Sequence, residues 1–163
     1  MADRVRIEGL DNVLKTLQSL PPEIVSKGGG PVRASLRKAA QVIQKQVQEN
    51  LQQRIIDVPN KDGQFVSTGL TKSNIVLTRG RRNNFKGESM FVRVRNKKFK
   101  DRDGRGSTTA ANARRLEYGT EKRVAVPFIR PAFEAKKAEA LTVFVTEINK
   151  RIAAVVRKLD KDR

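Results

Sequence analysis

Apolar positions recur along this chain with two periods, and the switches between them divide it into elements. Val5 and Ile7 alternate with Arg4, Arg6 and Glu8, the pattern of a half-buried strand, and Gly9 ends it. Asp11 is placed to cap a brief amphipathic helix carrying Leu14 and Leu17, with Leu10 and Leu20 at its ends, until Pro21 and Pro22 stop it. Ile24 and Val25 begin another turn, but Gly28, Gly29 and Gly30 follow, and each costs about 1 kcal/mol in a helix relative to Ala. A kink is expected there, with Pro31 as a helix start. The triple glycine has neither the preceding strand nor the Lys-Ser/Thr ending of a phosphate-cradling loop.

From Pro31 to about Arg54, Leu36, Ala40, Ile43, Val47 and Leu51 keep one face of a long helix apolar. Arg37, Gln41, Gln44, Lys45, Gln48 and Gln52 fill the other side, which reads as a solvated face or a subunit contact. Ile55 to Thr71 holds Pro59, Asn60, Asp62-Gly63 and Thr68-Gly69 and reads as a loop. Ser73 to Arg79 and Ser89 to Arg95 alternate as strands, with Ile75 and Leu77 on one face of the first and Met90, Val92 and Val94 on one face of the second; they are expected to pair antiparallel. The linking stretch Gly80 to Gly87 and the run Asn96 to Ser107 are polar and turn-rich, so extended loops are expected over about 79–107.

Ala113, Leu116 and Tyr118 then mark a short helical segment, and Gly119 stands where a helix exit needs positive φ. Pro127 biases Val126 towards extended backbone, and Pro131 suits the first position of a helix. That last helix, about 131–159, aligns Leu141, Phe144, Val145, Ile148, Ile152, Val155 and Leu159 in one stripe, with Lys150, Arg157 and Lys158 towards its C-terminus, where the dipole favours cations. The stripe reads first as core. It is long enough, at roughly 40 Å from a 1.5 Å rise per residue, that Leu141, Phe144, Ile148 and Ile152 are candidate subunit contacts. The expected fold is one α+β domain over 1–163, a short antiparallel sheet packed with two long amphipathic helices and carrying extended basic loops.

Composition narrows the chemistry. The chain has no Cys and no His, so disulfides, thiolate chemistry, the common nucleophile-base pairs and most zinc sites are unavailable. No catalytic, cofactor or metal residues are assigned: Asp57, Asn60 and Asp62 lack calcium-loop spacing, and nothing in the spacing of Asp57, Asp62, Asp101 and Asp103 makes them converge as a carboxylate enzyme would need. A non-enzymatic role is expected. The N-terminus lacks a signal-peptide core and no run of 18 apolar residues occurs, so neither secretion by that route nor a membrane span is expected.

Charge points to partners. The formal net charge is +18, and residues 79–105 hold eleven basic and three acidic side chains, a surplus of eight. An acidic partner follows, nucleic acid or a negatively charged protein surface. Arg79, Arg81, Arg82, Lys86, Lys97, Lys98, Lys100 and Arg102 are the candidate partner or DNA contacts. Phe85 and Phe99, inside the same loops, could stack on single-stranded bases or anchor the loops; the strands carry no aromatic platform of the kind used in RNA-binding sheets.

The segment Leu116-Glu117-Tyr118-Gly119-Thr120, with Val126-Pro127-Phe128-Ile129-Arg130-Pro131 after it, resembles a motif of the long-tailed bacteriophage neck and tail-completion proteins, the group that includes the minor tail protein Z of phage lambda. The opening Val5-x-Ile7-x-Gly9-Leu10-Asp11, the Leu20-Pro21-Pro22-Glu23 break and Ser67-Thr68-Gly69-Leu70 occur in the same order, so the likeness spans nearly the whole chain. It departs in one loop: family members typically carry Pro-Val-Asp-Thr-Gly-x-Leu, whereas here seven residues, Asn60 to Val66, separate Val58-Pro59 from Ser67-Thr68-Gly69-Leu70. The resemblance implies a virion component assembled in the bacterial cytoplasm. Its copies would form a ring, six-fold or twelve-fold, between head-closure or connector proteins and the tail terminator or tail tube, with double-stranded DNA passing through. A basic nucleic-acid-binding protein of ribosomal or nucleoid type is the rival reading of the same charge.

Overall fold

The computed structural model describes residues 30–57, 69–80, 88–100, 104–121 and 124–161. The first strand and helix expected before Gly28, most of the loop after the first long helix, and Arg81, Arg82, Phe85, Lys86 and Arg102 lie outside them. The elements in order are α1 (Gly30–Asp57), α2 (Leu70–Ser73), β1 (Ile75–Arg79), β2 (Met90–Val94), β3 (Lys98–Lys100), β4 (Gly106–Thr108), α3 (Thr109–Tyr118) and α4 (Ile129–Lys161). The α+β expectation holds: two long helices pack with short antiparallel sheets.

The two long helices run antiparallel. Val47 and Leu51, late in α1, share a core with Phe128 and Ala132 at the head of α4, while Val32, at the start of α1, packs against Ile148 and Ile152 far along α4. Ser35, Ala39, Ala40, Ala132 and Ala140 are all buried. Small residues at a helix contact let the axes approach towards the short end of the roughly 8–10 Å range. Ser35 survives burial because its hydroxyl donates to the Pro31 carbonyl at 2.8 Å.

The polar side of α1 has a structural task. Gln44 donates from Nε2 to the Ile75 carbonyl at 2.8 Å, Lys72 Nζ donates to Gln52 Oε1, and Gln48 makes a long 3.5 Å contact to the Lys72 carbonyl. These three side chains, one turn apart, dock α2 and the start of β1 along the helix. Of the face expected to meet solvent or a second subunit, Gln44 and Gln48 are thus engaged within the chain, while Arg37, Gln41, Lys45 and Gln52 remain exposed.

β1 and β2 pair antiparallel with Ile75 opposite Val94 and Leu77 opposite Val92, so the apolar faces read from the alternation coincide and pack towards α1. Two boundaries differ from expectation. Ser73 is in the helical turn α2 rather than in a strand, because the Asn74 side chain donates to the Leu70 carbonyl at 2.8 Å and closes that turn. Ile55 to Asp57 continue α1 rather than opening a loop.

The polar run Asn96–Ser107 is not wholly loop. β3 and β4 pair in it as a second hairpin, with Phe99 opposite Ser107. Its base is pinned by Thr109, which is fully buried: the Thr109 N–H donates to the Lys97 carbonyl at 2.9 Å, its hydroxyl accepts from the Lys97 N–H at 2.9 Å and also donates to the Arg95 carbonyl. Thr108 caps α3 by accepting from the Ala111 N–H at 3.2 Å. Two adjacent threonines therefore end a strand, start a helix and fasten the hairpin, and no apolar periodicity announces that.

Candidate functional site

The two halves of the motif around Gly119 meet through one carboxylate. Glu117, 6% exposed, accepts from the N–H groups of Phe128 at 2.8 Å and Ile129 at 2.9 Å through Oε2, and from Arg130 at 3.0 Å through Oε1. A helix begins with four N–H groups that have no partner inside it. Counted from Phe128, the residue that precedes α4, the fourth position is Pro131, which has no N–H to satisfy. Glu117 and Pro131 together account for all four. Pro131 is therefore the third residue of α4, two later than expected, because the carboxylate lets the helix begin at Ile129.

The placement has an electrostatic logic. A carboxylate in the last turn of α3 is disfavoured by that helix's dipole, and at the head of α4 it is favoured. Three direct bonds to the α4 amides decide the balance, since each charge-assisted bond contributes about 1.5–3 kcal/mol against a few tenths to 1 kcal/mol for the dipole term.

Gly119 supplies the turn that aims the carboxylate. Its φ of 76° is positive, as the sequence predicts, but its ψ of −174° places it in the extended mirror region rather than in the left-handed helical exit. That region is essentially restricted to glycine. The Gly119 N–H still closes α3 on the Arg115 carbonyl at 2.9 Å, and the returning chain donates the Val126 N–H to the Leu116 carbonyl at 2.7 Å.

Around this joint, Phe128 is fully buried and Leu116 packs against the same core. Tyr118 is 63% exposed, with the Arg130 guanidinium 5.1 Å from its ring centroid. Pro127 is half-buried and Thr120 exposed. Val124 and Phe133 are also exposed. The motif residues Leu116, Glu117, Tyr118, Gly119, Thr120, Pro127, Phe128, Arg130 and Pro131 thus form one joint between α3 and α4.

The candidate contact residues fare unequally. Arg79 is held by Glu88 in a two-pronged pair at 3.0 and 2.5 Å and is committed within the chain. Lys97, Lys98 and Lys100 are exposed, the last two on one face of β3 with Phe99 turned to the other. Ile148 and Ile152 are buried against α1 and cannot also meet a neighbouring subunit, whereas Leu141 and Phe144 are only partly covered.

One surface escaped the sequence reading. Because Met90, Val92 and Val94 face inward, β2 turns Phe91 and Arg93 outward, and Phe91 is 55% exposed. The signal was present in the same alternation, read only for its apolar side. Among the described residues no three His, Cys, Asp or Glu side chains gather as a metal site would require, and no helix is long and apolar enough to cross a membrane. No protein-family model, curated protein or solved structure matches the chain.

Proposed function

We propose that this chain is a non-enzymatic structural protein of the phage head-tail junction, whose copies form a closed ring joining head-closure proteins to the tail tube. The observation that supports the reading is the Glu117 joint: the segments on which the family resemblance rests are one hydrogen-bonded unit. Closed rings use heterologous contacts, in which one patch meets a different patch on the next copy. The partly covered Leu141 and Phe144 and the exposed Tyr118, Val124 and Phe133 supply apolar surface for such contacts. The basic hairpin with Lys97, Lys98 and Lys100 docks acidic surfaces of the adjoining rings. Firm phosphate contacts there would hold back a genome that must slide through.

Electron microscopy of necks and tails labelled on this chain should show it as a ring at the junction; finding it only free or inside capsids would overturn the reading. The variant with Arg81→Ser, Arg82→Ser, Lys97→Ser, Lys98→Ser and Lys100→Ser should fail to join heads to tails while losing little affinity for duplex DNA across a salt series. Normal joining with a marked loss of duplex binding and a flattened salt slope would reverse the assignment of these residues.

A further inference from the structure

The outer face of the first hairpin carries a second, separate surface. In β2, Phe91 and Arg93 point away from α1, and Arg95 continues the row, tied in register by its N–H donating to the Asn74 carbonyl at 2.7 Å. Alternate residues in a strand lie about 6.7 Å apart on one face. All three are exposed, and neither arginine has an ion-pair partner among the described residues. The acid nearest in sequence, Glu88, is bound to Arg79. Cross-strand from Phe91 and Arg93 are Thr78 and Val76, which floor the face without adding charge.

The ring of Phe91 is seated. A Cβ at Gly80 would lie 1.8 Å from Ser89 Oγ and 2.9 Å from Phe91 Cε2, so the absence of a side chain at Gly80 lets the hydroxyl and the ring edge close over its backbone. A phenylalanine held this way still leaves more than half of its surface open to water. A planar apolar ring beside a regular row of cations complements a polymer that offers planar faces and regular negative charges.

We propose that this face binds single-stranded nucleic acid, one base stacking on Phe91 while Arg93 and Arg95 engage successive phosphates. An unpaired strand can present a base face to the ring; in a duplex those faces are covered by neighbouring pairs. An acidic protein surface that buries an aromatic ring would meet the same arginines, and an acidic Phe-containing peptide separates that case from a stacked base. The proposal does not depend on the head-tail reading: its surface is distinct from the Lys97–Lys100 hairpin arm, and its test involves no assembly.

The test is fluorescence anisotropy of labelled oligo-dT and of a duplex of equal length with the full-length protein. Phe91→Ala should weaken oligo-dT binding about 5- to 150-fold, the range for loss of one base-aromatic stack, and leave duplex affinity unchanged. Phe91→Tyr should retain single-strand binding, and Phe91→Leu, which keeps apolar bulk and guards against a folding artefact, should lose it. Arg93→Ser with Arg95→Ser should make the single-strand salt slope shallower by about 1.4, two phosphates at about 0.7 each. Equal oligo-dT binding by wild type and Phe91→Leu would overturn the proposal. So would an acidic Phe-containing peptide of matched charge that binds as tightly as oligo-dT and shows the same dependence on Phe91.

Discussion

Helix α3 is anchored at both ends, and the two anchors differ in kind. At its head, Thr108 and Thr109 use neutral hydroxyls to cap the helix and to hold the second hairpin. At its tail, Glu117 uses a carboxylate to hold the head of a 33-residue helix. The first anchor fastens a small, solvent-facing appendage of lysines. The second joins α3 to the longest helix and to the fully buried Phe128. Loss of a hydroxyl should therefore loosen one local piece, whereas loss of the carboxylate should be felt across the domain, because α4 also carries the helix-helix core.

The largest effect is expected from Glu117→Ala. It leaves the Phe128, Ile129 and Arg130 N–H groups without partners, and at about 1–3 kcal/mol per unsatisfied buried donor, reduced by water reaching the vacated space, the loss should be about 3–4 kcal/mol. Glu117→Gln keeps one acceptor oxygen and turns an NH₂ towards amides that also donate, so it should cost roughly half as much. Urea denaturation of both variants measures this. A loss below about 1 kcal/mol for Glu117→Ala would remove the contrast between the two ends of α3.

Next comes Gly119→Val, expected to cost about 1–3 kcal/mol because a β-branched residue resists the positive-φ extended conformation. The same titration tests it, and an unchanged midpoint and slope would mean that the turn can be made another way. Thr109→Val is nearly isosteric and removes only the hydroxyl, leaving the Arg95 carbonyl and the Lys97 N–H short of a partner at about 1–2 kcal/mol. Its signature should be local. Amide hydrogen exchange should quicken in β3 and β4 and remain unchanged in α1 and α4; acceleration spread over the long helices would show that the hairpin anchor is also a global one.

The difference between the two anchors also governs how much could be read in advance. The long helices and the pairing faces of β1 and β2 were legible because burial imposes a period on apolar residues, and Val47, Leu51, Ile75 and Val94 keep it. Gly119 was legible as a positive-φ position, though not which region of positive φ. The Glu117 clamp was not: its partners lie 11 to 13 residues away and are backbone amides, which leave no mark in the sequence. Gln44 and Gln48 of α1 escaped for the same reason, since their acceptors are the carbonyls of Ile75 and Lys72. The β3–β4 hairpin hid in a charged run because three-residue strands, stabilised at their base by Thr109, need little apolar content. Ile148 and Ile152 were misplaced at a subunit contact because a stripe does not say which of its residues α1 covers.

The smallest effect concerns a second link across the α3–α4 joint. The Arg130 guanidinium lies 5.1 Å from the Tyr118 ring centroid, one residue from each side of the Glu117 clamp, but both side chains are exposed. Cation–π contacts at exposed sites contribute about 0.5–1 kcal/mol, and the long Arg side chain loses rotamer freedom to make one. A double-mutant cycle with Tyr118→Leu and Arg130→Gln should therefore give a coupling of about 0.5 kcal/mol, near the lower end of what a cycle resolves. Leu keeps apolar area for the Arg stem to cover, so that the cycle isolates the ring's attraction for the charge rather than its bulk. Repeating the cycle in Glu117→Gln sharpens the comparison. If the carboxylate alone orients α4, weakening it lets Arg130 drift from the ring and the coupling falls towards zero. A coupling that holds at 0.5 kcal/mol or grows in that background would mean that the surface pair aligns the helices independently, and that the buried charge is not the sole determinant of the joint.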